Sequence, residues 1–255
     1  MQSNYNKEFN LAKEEFLKFI DSLDLKNIST DNQINMINRK VKHTLKVVLV
    51  IEELCKRMNL SDEQLYLAKI IALLHDIGRF EEALKTSSYF GSRIDHAKLG
   101  VDLLFEDKNY IRKFIESNNY DNIIKKAIEN HNKLNIPDDL TAEEEFYCKL
   151  IRDADKIDIY RVKIEDEKNI MSDIISEKVL YCFQNYKQVN SEYVKNYSDD
   201  IMRCLCFLFD INFNESLDYI KEHNLIENFI DTIKLEDNKF LYEMKNNMLK
   251  YLNNK

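Results

Sequence analysis

The sequence predicts an all-α protein. Only 3 of its 255 residues are glycine and 1 is proline, far fewer turn-forming residues than a β-rich fold needs. Hydrophobic residues make up 44% of the chain and recur at the three- and four-residue intervals of amphipathic helices. We therefore expect helices packed around a substantial core and joined by polar loops rich in Asn, Asp and Ser.

The N-terminal third predicts three helices. The first lies within Asn4–Leu23, and the second follows the polar segment Asp31–Lys40. Ser61 is placed to cap the third, because acidic residues follow it in the first turn. From Leu65 to Leu74 that helix is apolar almost all round, so we expect it to be central and buried.

All three glycines fall between Gly78 and Gly100, which marks the stretch Arg79–Asp95 as a long and functional loop. We expect Gly78 to allow a sharp turn and Gly100 to allow the close approach of a neighbour. Asp95 should cap a helix that begins at His96.

Further helices are expected at about 109–118 and 121–131, before a loop that holds Pro137. Thr141 and Glu144 form a capping-box pattern for a helix that runs to about Ile164, and four or five amphipathic helices follow between 170 and 255. The predicted organisation is an N-terminal helical segment (1–34), a central domain (35–165) and a C-terminal helical extension (166–255).

Charge and composition restrict the partners. The net charge of −8 and the lack of a basic stripe disfavour binding to duplex nucleic acid, and no apolar run is long enough for a membrane span. The polar start of the chain lacks the apolar stretch of a signal peptide. The five cysteines lie in apolar helical patterns and indicate reduced thiols in a cytoplasmic protein. The aromatic segment Cys204–Phe209 is expected to be core or a dimer face, so a homodimer stays open.

Four of the five histidines occur at helix ends or on apolar helix faces, together with two aspartates. A lone buried histidine is usually a hydrogen-bonded core residue, but this explanation would have to hold for each of them separately. Four imidazoles and two carboxylates are a typical ligand set for transition metals. The set exceeds the number of protein ligands that a single ion usually has when it keeps positions open for water, so it indicates two ions. The candidate metal ligands are His43, His75, Asp76, His96, His131 and Asp155. His223 lies at a polar helix end, and we assign it no role in the site.

The order of these residues resembles the HD-domain superfamily of metal-dependent phosphohydrolases over about residues 35–165. The order His, His-Asp, His, His, Asp is accompanied by the flanks Leu-Leu-His-Asp-Ile-Gly-Arg (73–79), Asp-His-Ala-x-x-Gly (95–100) and Asp-Ala-Asp-Lys (153–156). The resemblance implies an orthogonal helical bundle of the HD/phosphodiesterase type. It also implies that His43, His75, Asp76 and Asp155 bind a first metal, and that Asp76 bridges to a second ion at His96 and His131.

The expected cofactors are two divalent transition metal ions, with Mn, Fe, Co and Zn all open. Metal-bound hydroxide would attack phosphorus, and Asp155 could act as general base. Arg79, Arg93 and Lys156 are the candidate phosphate contacts. The cyclic-dinucleotide branch has a Gly-Tyr-Pro signature and the guanosine-tetraphosphate hydrolase branch a Glu-Asp pair after His-Asp; this chain has neither.

The predicted function is hydrolysis of a phosphoester or phosphoanhydride in a small phosphorylated metabolite, with a nucleotide or dinucleotide favoured. Three alternatives stay open. The first is a phosphodiesterase of a cyclic or linear dinucleotide. The second is a diiron oxygenase, because some HD-domain proteins use this ligand set to activate oxygen. The third is a signalling module without activity, which is disfavoured because such modules usually lose their ligands.

Overall fold

Helices α1 to α13 make up most of the computed structural model, which describes residues 4–23, 31–86, 94–107, 109–166, 169–172 and 174–255. The helices are α1 (Asn4–Asp21), α2 (Asp31–Arg57), α3 (Asp62–Leu74), α4 (Ile77–Lys85), α5 (His96–Val101), α6 (Ile111–Phe114), α7 (Asp121–Asn130), α8 (Ala142–Ile164), α9 (Glu177–Gln184), α10 (Tyr197–Leu205), α11 (Asn214–Glu222), α12 (Leu225–Asp231) and α13 (Asn238–Asn253). Within the described residues the β-structure is one isolated bridge, between Ile170 and Lys234. The all-α prediction is confirmed.

The chain divides into two compact units, Met1–Ile151 and Arg152–Lys255, with the division inside helix α8. In the first unit, α3 packs against α1, α2 and α7, and α4 packs against α2 and α5. The expectation that α3 is central is confirmed, because every residue from Tyr66 to Leu74 is buried. In the second unit, α9 packs on α10, and α12 packs on α11 and α13.

Two predicted helix starts are confirmed by their hydrogen bonds. The Ser61 hydroxyl accepts from the backbone N–H of Gln64, whose side chain accepts from the backbone N–H of Ser61. Thr141 and Glu144 form the same reciprocal pair at the start of α8. Each box satisfies donors that a helix N-terminus otherwise leaves without a partner, which explains why both boundaries could be predicted from local sequence.

The stretch from 79 to 95 differs from the prediction. Residues 79–85 continue helix α4 and are not loop, while residues 87–93, including the candidate phosphate contact Arg93, lie outside the described residues. The predicted helix at 109–118 is only the single turn α6. A π-helix over Asp102–Asp107 extends α5 without a recognisable signal in the sequence.

Gly78 has a different role from the one that we expected. It lies inside α4, and a β-carbon there would stand 2.6 Å from the backbone nitrogen of Gly100 and still closer to the carbonyl oxygen of His96. The residue is therefore glycine because α4 and α5 touch backbone to backbone. A β-carbon on Gly100 would in turn lie 3.4 Å from the nitrogen of Gly78, which confirms the expected close approach there. This contact brings the start of α5 beside the α3–α4 junction.

Across the described residues, none of the helices combines the length and apolar composition that a membrane crossing requires. All five cysteines are free thiols and all are buried. The aromatic segment is core, as expected, since residues 204–208 are buried.

Candidate metal centre

Four histidines and one aspartate meet inside the first unit. His43 comes from the middle of α2, on the same face as the buried Val47, Val50 and Leu54. His75 and Asp76 form the junction between α3 and α4. His96 is the first residue of α5, and His131 directly follows α7. All five residues are buried, at 6% exposure or less.

The Asp76 carboxylate stands between two pairs of histidines. Its Oδ2 lies 3.7 Å from Nε2 of His43 and 3.6 Å from Nε2 of His75. Its Oδ1 lies 3.3 Å from Nε2 of His96 and 3.5 Å from Nε2 of His131. Two groups of potential ligands, each with its atoms within 4.8 Å of one another, therefore share Asp76. This arrangement suits a carboxylate that bridges two ions.

Backbone hydrogen bonds orient two of the rings. Nδ1 of His75 lies 2.8 Å from the carbonyl oxygen of Ala72, and Nδ1 of His131 lies 2.7 Å from that of Ile128. A carbonyl only accepts, so Nδ1 carries a proton in both rings, which leaves Nε2 as the nitrogen that can bind a metal ion. Metal-bound histidines typically have such a partner on the second nitrogen. The donor set therefore fits a metal ion.

The protonation states also suit metal binding. Burial lowers the pKa of His96 well below its ordinary value, and the nearby Arg79 guanidinium lowers it further, so the ring is neutral at physiological pH. Burial by itself would raise the pKa of Asp76, but the Lys40 ammonium and the surrounding histidines hold it well below its ordinary value. A neutral imidazole and an ionised carboxylate are the forms that bind metals.

Lys40 belongs to the site, although it was not predicted from the sequence. Its Nζ lies 2.6 Å from Oδ2 of Asp76, and its side chain is 20% exposed. Lys40 precedes His43 by three residues in α2, which places both side chains on one helix face. That spacing is the signal that could have found it, but a helical lysine is usually solvent-exposed.

Arg79, one of the predicted phosphate contacts, lies beside this cluster. Its Nε lies 3.8 Å from Oδ1 of Asp76, and its Nη1 donates to Oε2 of the fully buried Glu82 at 2.7 Å. Glu82 therefore anchors the guanidinium, and the arginine side chain keeps 22% exposure. Glu82 was not predicted from the sequence either, because nothing in its spacing shows that it is buried.

The remaining predicted residues lie on the part of α8 that belongs to the second unit. Asp155 is half-buried there. Lys156 is buried, and its Nζ lies 2.7 Å from Oδ2 of Asp210, which also accepts from Arg152 at 2.6 Å. Asp153 accepts hydrogen bonds from the backbone of Asn212 and Phe213, directly before α11. Metal binding by Asp155 and phosphate binding by Lys156 stay predictions.

His223 has local contacts at the end of α11, where no site role was expected. Its Nδ1 lies 2.9 Å from the carbonyl oxygen of Tyr219, and its ring stacks on that tyrosine at 4.1 Å between centroids.

Comparison with known families agrees with this geometry. Residues 41–160 match the family model of the HD domain, a range that contains all six predicted metal ligands. Neither curated proteins nor solved structures gave a match to the chain. HD domains are generally metal-dependent phosphohydrolases, and the His and Asp groups of this chain could hold metal ions. The family-model match and the helical fold together show that residues 41–160 of this chain form an HD domain.

Proposed function

We propose that this protein hydrolyses a phosphoester or phosphoanhydride of a small metabolite, with a nucleotide or dinucleotide as the favoured substrate, at a centre of two divalent transition metal ions. The observation that carries the proposal is the position of Asp76, whose two carboxylate oxygens each face a different pair of histidine Nε2 atoms. His43 and His75 would hold one ion and His96 and His131 the other. Asp155 is proposed as a further ligand of the first ion.

When bound, such ions lower the pKa of water and neutralise charge on phosphoryl oxygens. The chain supplies the rest of the chemistry. Two imidazoles on each side of Asp76 present Nε2 toward its carboxylate, and the buried, ionised carboxylate adds a negative charge that favours divalent cations. Half-buried Asp155 is proposed to accept the proton of the attacking water.

Arg79 is the best-supported contact for the substrate. It is beside Asp76, part of its side chain is exposed, and Glu82 restrains its guanidinium. A planar guanidinium can donate to two phosphate oxygens at once, which an ammonium group cannot reproduce. The loss of one charge-assisted contact of about 1.5–3 kcal/mol corresponds to roughly ten- to a hundredfold in kcat/KM. We expect Arg79→Lys to lower kcat/KM in this range and to leave the metal content unchanged.

The test is metal analysis of the purified protein, followed by activity assays on nucleotides, phosphomonoesters and linear and cyclic dinucleotides with Mn²⁺, Fe²⁺, Co²⁺ and Mg²⁺. Hydrolysis that requires metal and is lost in Asp76→Ala would support the proposal. Cleavage of diesters but not monoesters would identify a phosphodiesterase. A protein purified with two irons that consumes oxygen in the presence of a substrate, and that hydrolyses none of these compounds, would instead favour the oxygenase alternative.

A further inference from the structure

The two histidines proposed for the second ion come from distant parts of the sequence, but their immediate neighbours in the chain interact with each other through the carboxylate of Asp95. Asp95 immediately precedes His96, and Asn132 and Lys133 immediately follow His131. Nδ2 of Asn132 donates to Oδ1 of Asp95 at 3.2 Å, and Nζ of Lys133 donates to Oδ2 at 2.5 Å. The carboxylate therefore links the start of α5 to the end of α7.

The same carboxylate also caps α5. Its Oδ1 accepts from the backbone nitrogens of Ala97 at 3.2 Å and Lys98 at 3.3 Å. These bonds satisfy two donors of the first helical turn and fix the backbone that carries His96. Asp95 thus accepts hydrogen bonds from the start of α5 and from the end of α7. In this it differs from an isolated surface ion pair, which joins only two side chains.

We propose that Asp95 is a positioning residue that holds His96 and His131 at the spacing required by the second metal ion, through its hydrogen bonds to Asn132 and Lys133. The inference rests on the proposed two-metal centre. The backbone hydrogen bonds of a helix connect residues within that helix and do not fix it against another helix. The relative position of the two rings therefore depends on side-chain contacts between the start of α5 and the end of α7. Asp95 with Lys133 supplies a charged contact there.

The position of the link is suited to this role. Nε2 of His96 and Nε2 of His131 lie 3.1 Å apart, so a small rotation of either helix end would change their separation by a large fraction. Ligand positions must be held to about 0.5 Å for a productive site. Outer contacts of metal ligands are typically worth ten- to a hundredfold in metal affinity. Since Asp95 and Lys133 are each 40% exposed, we expect the lower end of that range.

The experiment is a calorimetric titration of the metal-free protein with Mn²⁺ alone, with circular dichroism to verify folding. His131→Ala identifies the binding step that belongs to the second ion. Asp95→Asn keeps a good helix cap but removes the charge that pairs with Lys133. Lys133→Met leaves the cap untouched and removes the other half of the pair.

We expect each single variant to raise the Kd of the second ion about tenfold and to leave the Kd of the first ion unchanged. The double variant Asp95→Asn/Lys133→Met should bind the second ion no more weakly than either single variant, because the two substitutions remove the same interaction. Lys98→Met is the matched control, since Lys98 is on α5 but pairs with Asp102 on the adjoining π-helix. It should not change either Kd.

Unchanged affinity for the second ion in Lys133→Met would overturn the positioning role, as would equal weakening of both ions, which indicates general destabilisation. A wild-type protein that binds one ion only would overturn it as well. Because the readout is binding, a protein that binds two ions but hydrolyses no phosphoester would refute the proposed function and still show whether Asp95 positions the two histidines.

Discussion

The Nε2 atoms of His96 and His131 lie 3.1 Å apart, although 35 residues separate them in the chain. Nδ1 of His131 donates to the carbonyl of Ile128, so Nε2 is the ring nitrogen that remains to bind a metal ion, and it faces His96. Two ring nitrogens that converge beside an ionised carboxylate form a site for a cation. The same carboxylate faces His43 and His75 on its other side, and these three residues form the other group that could hold an ion.

This relationship predicts a stoichiometry of two transition metal ions per chain in metal-saturated protein. We expect His131→Ala to reduce it to one, because the remaining His96 and Asp76 are too few protein ligands for a tight site. His223→Ala is the control, since that histidine stacks on Tyr219 and belongs to neither of the two ligand groups. Elemental analysis after dialysis measures the ratio. A value of two in His131→Ala would contradict the assignment.

Asp76 should contribute more to metal binding and to turnover than any single histidine does. It is 2% exposed and faces all four imidazoles, so Asp76→Ala removes a ligand from both ions at once. We expect metal content to fall below one ion per chain, and kcat to fall by at least about a thousandfold, the order typical for loss of a major charge-stabilising group. Circular dichroism should show unchanged helicity. Near wild-type turnover in Asp76→Ala would refute the bridging role.

Lys40 should oppose metal binding. Its ammonium lies 2.6 Å from Oδ2 of Asp76 and competes with an ion for the same oxygen. Unit charges about 4 Å apart interact by about 4 kcal/mol at the effective dielectric of a protein surface, so even a third of this energy is tenfold in affinity. We therefore expect Lys40→Met to bind Mn²⁺ about tenfold more tightly.

Lys98→Met is again the matched control for this titration. Lys98 also pairs with an aspartate at 2.6 Å, but its side chain is 71% exposed and the pair lies on the protein surface. It should leave Mn²⁺ affinity unchanged. Weaker Mn²⁺ binding in Lys40→Met would show that the lysine supports the site and does not compete for it.

The sequence could predict the candidate metal ligands because each lies at a position with a local signal. Val47, Val50 and Leu54 define the buried face of α2 that also carries His43. Asp95 could be recognised as a cap from its place before a helix, and this fixed the start of α5. Such signals operate within one helix or one turn, where residue spacing determines which side chains are neighbours.

Contacts between helices could not be predicted in the same way. The links of Asp95 to Lys133 and of Lys40 to Asp76 cross 38 and 36 residues, and periodicity does not show which helices are neighbours. Gly78 is the clearest case. Glycine is typical of turns, so the sequence favoured a turn, whereas the structure places it where α4 touches α5.

Gly78 provides a direct test of that contact. A β-carbon at this position would meet backbone atoms of His96 and Gly100, which cannot move without shifting α5. We expect Gly78→Ala to lower the free energy of unfolding by about 2–3 kcal/mol, the upper part of the range for overpacking. Gly100→Ala is the comparison, because its β-carbon would meet a side-chain methyl of Ile77 at 3.3 Å. Gly100→Ala should lower the free energy of unfolding by about 1 kcal/mol or less. If urea denaturation showed equal losses in the two variants, the backbone contact at Gly78 would be contradicted.

Asp200 should make the stability of the second unit depend on pH in the acidic range. Burial alone would raise its pKa, but Arg203 and Lys163 outweigh burial and lower the pKa to about 2 from an ordinary value of 3.8. A carboxyl group with a lowered pKa in the folded state stabilises that state above its unfolded pKa, and this contribution is lost as pH falls. The difference corresponds to about 2 kcal/mol, present above about pH 4 and lost between about pH 4 and pH 2.

We expect Asp200→Asn to remove this contribution, so that the free energy of unfolding falls by about 2 kcal/mol at about pH 7 and by much less at about pH 2.5. Asp218→Asn is the matched control, because Asp218 is 58% exposed and 3.7 Å from Lys221, where an ion pair contributes little. Urea denaturation of the wild type and both variants at several pH values measures the difference. A loss in Asp200→Asn that is equally large in acid and at neutral pH would show that the residue stabilises the fold by packing and hydrogen bonding and not through its charge.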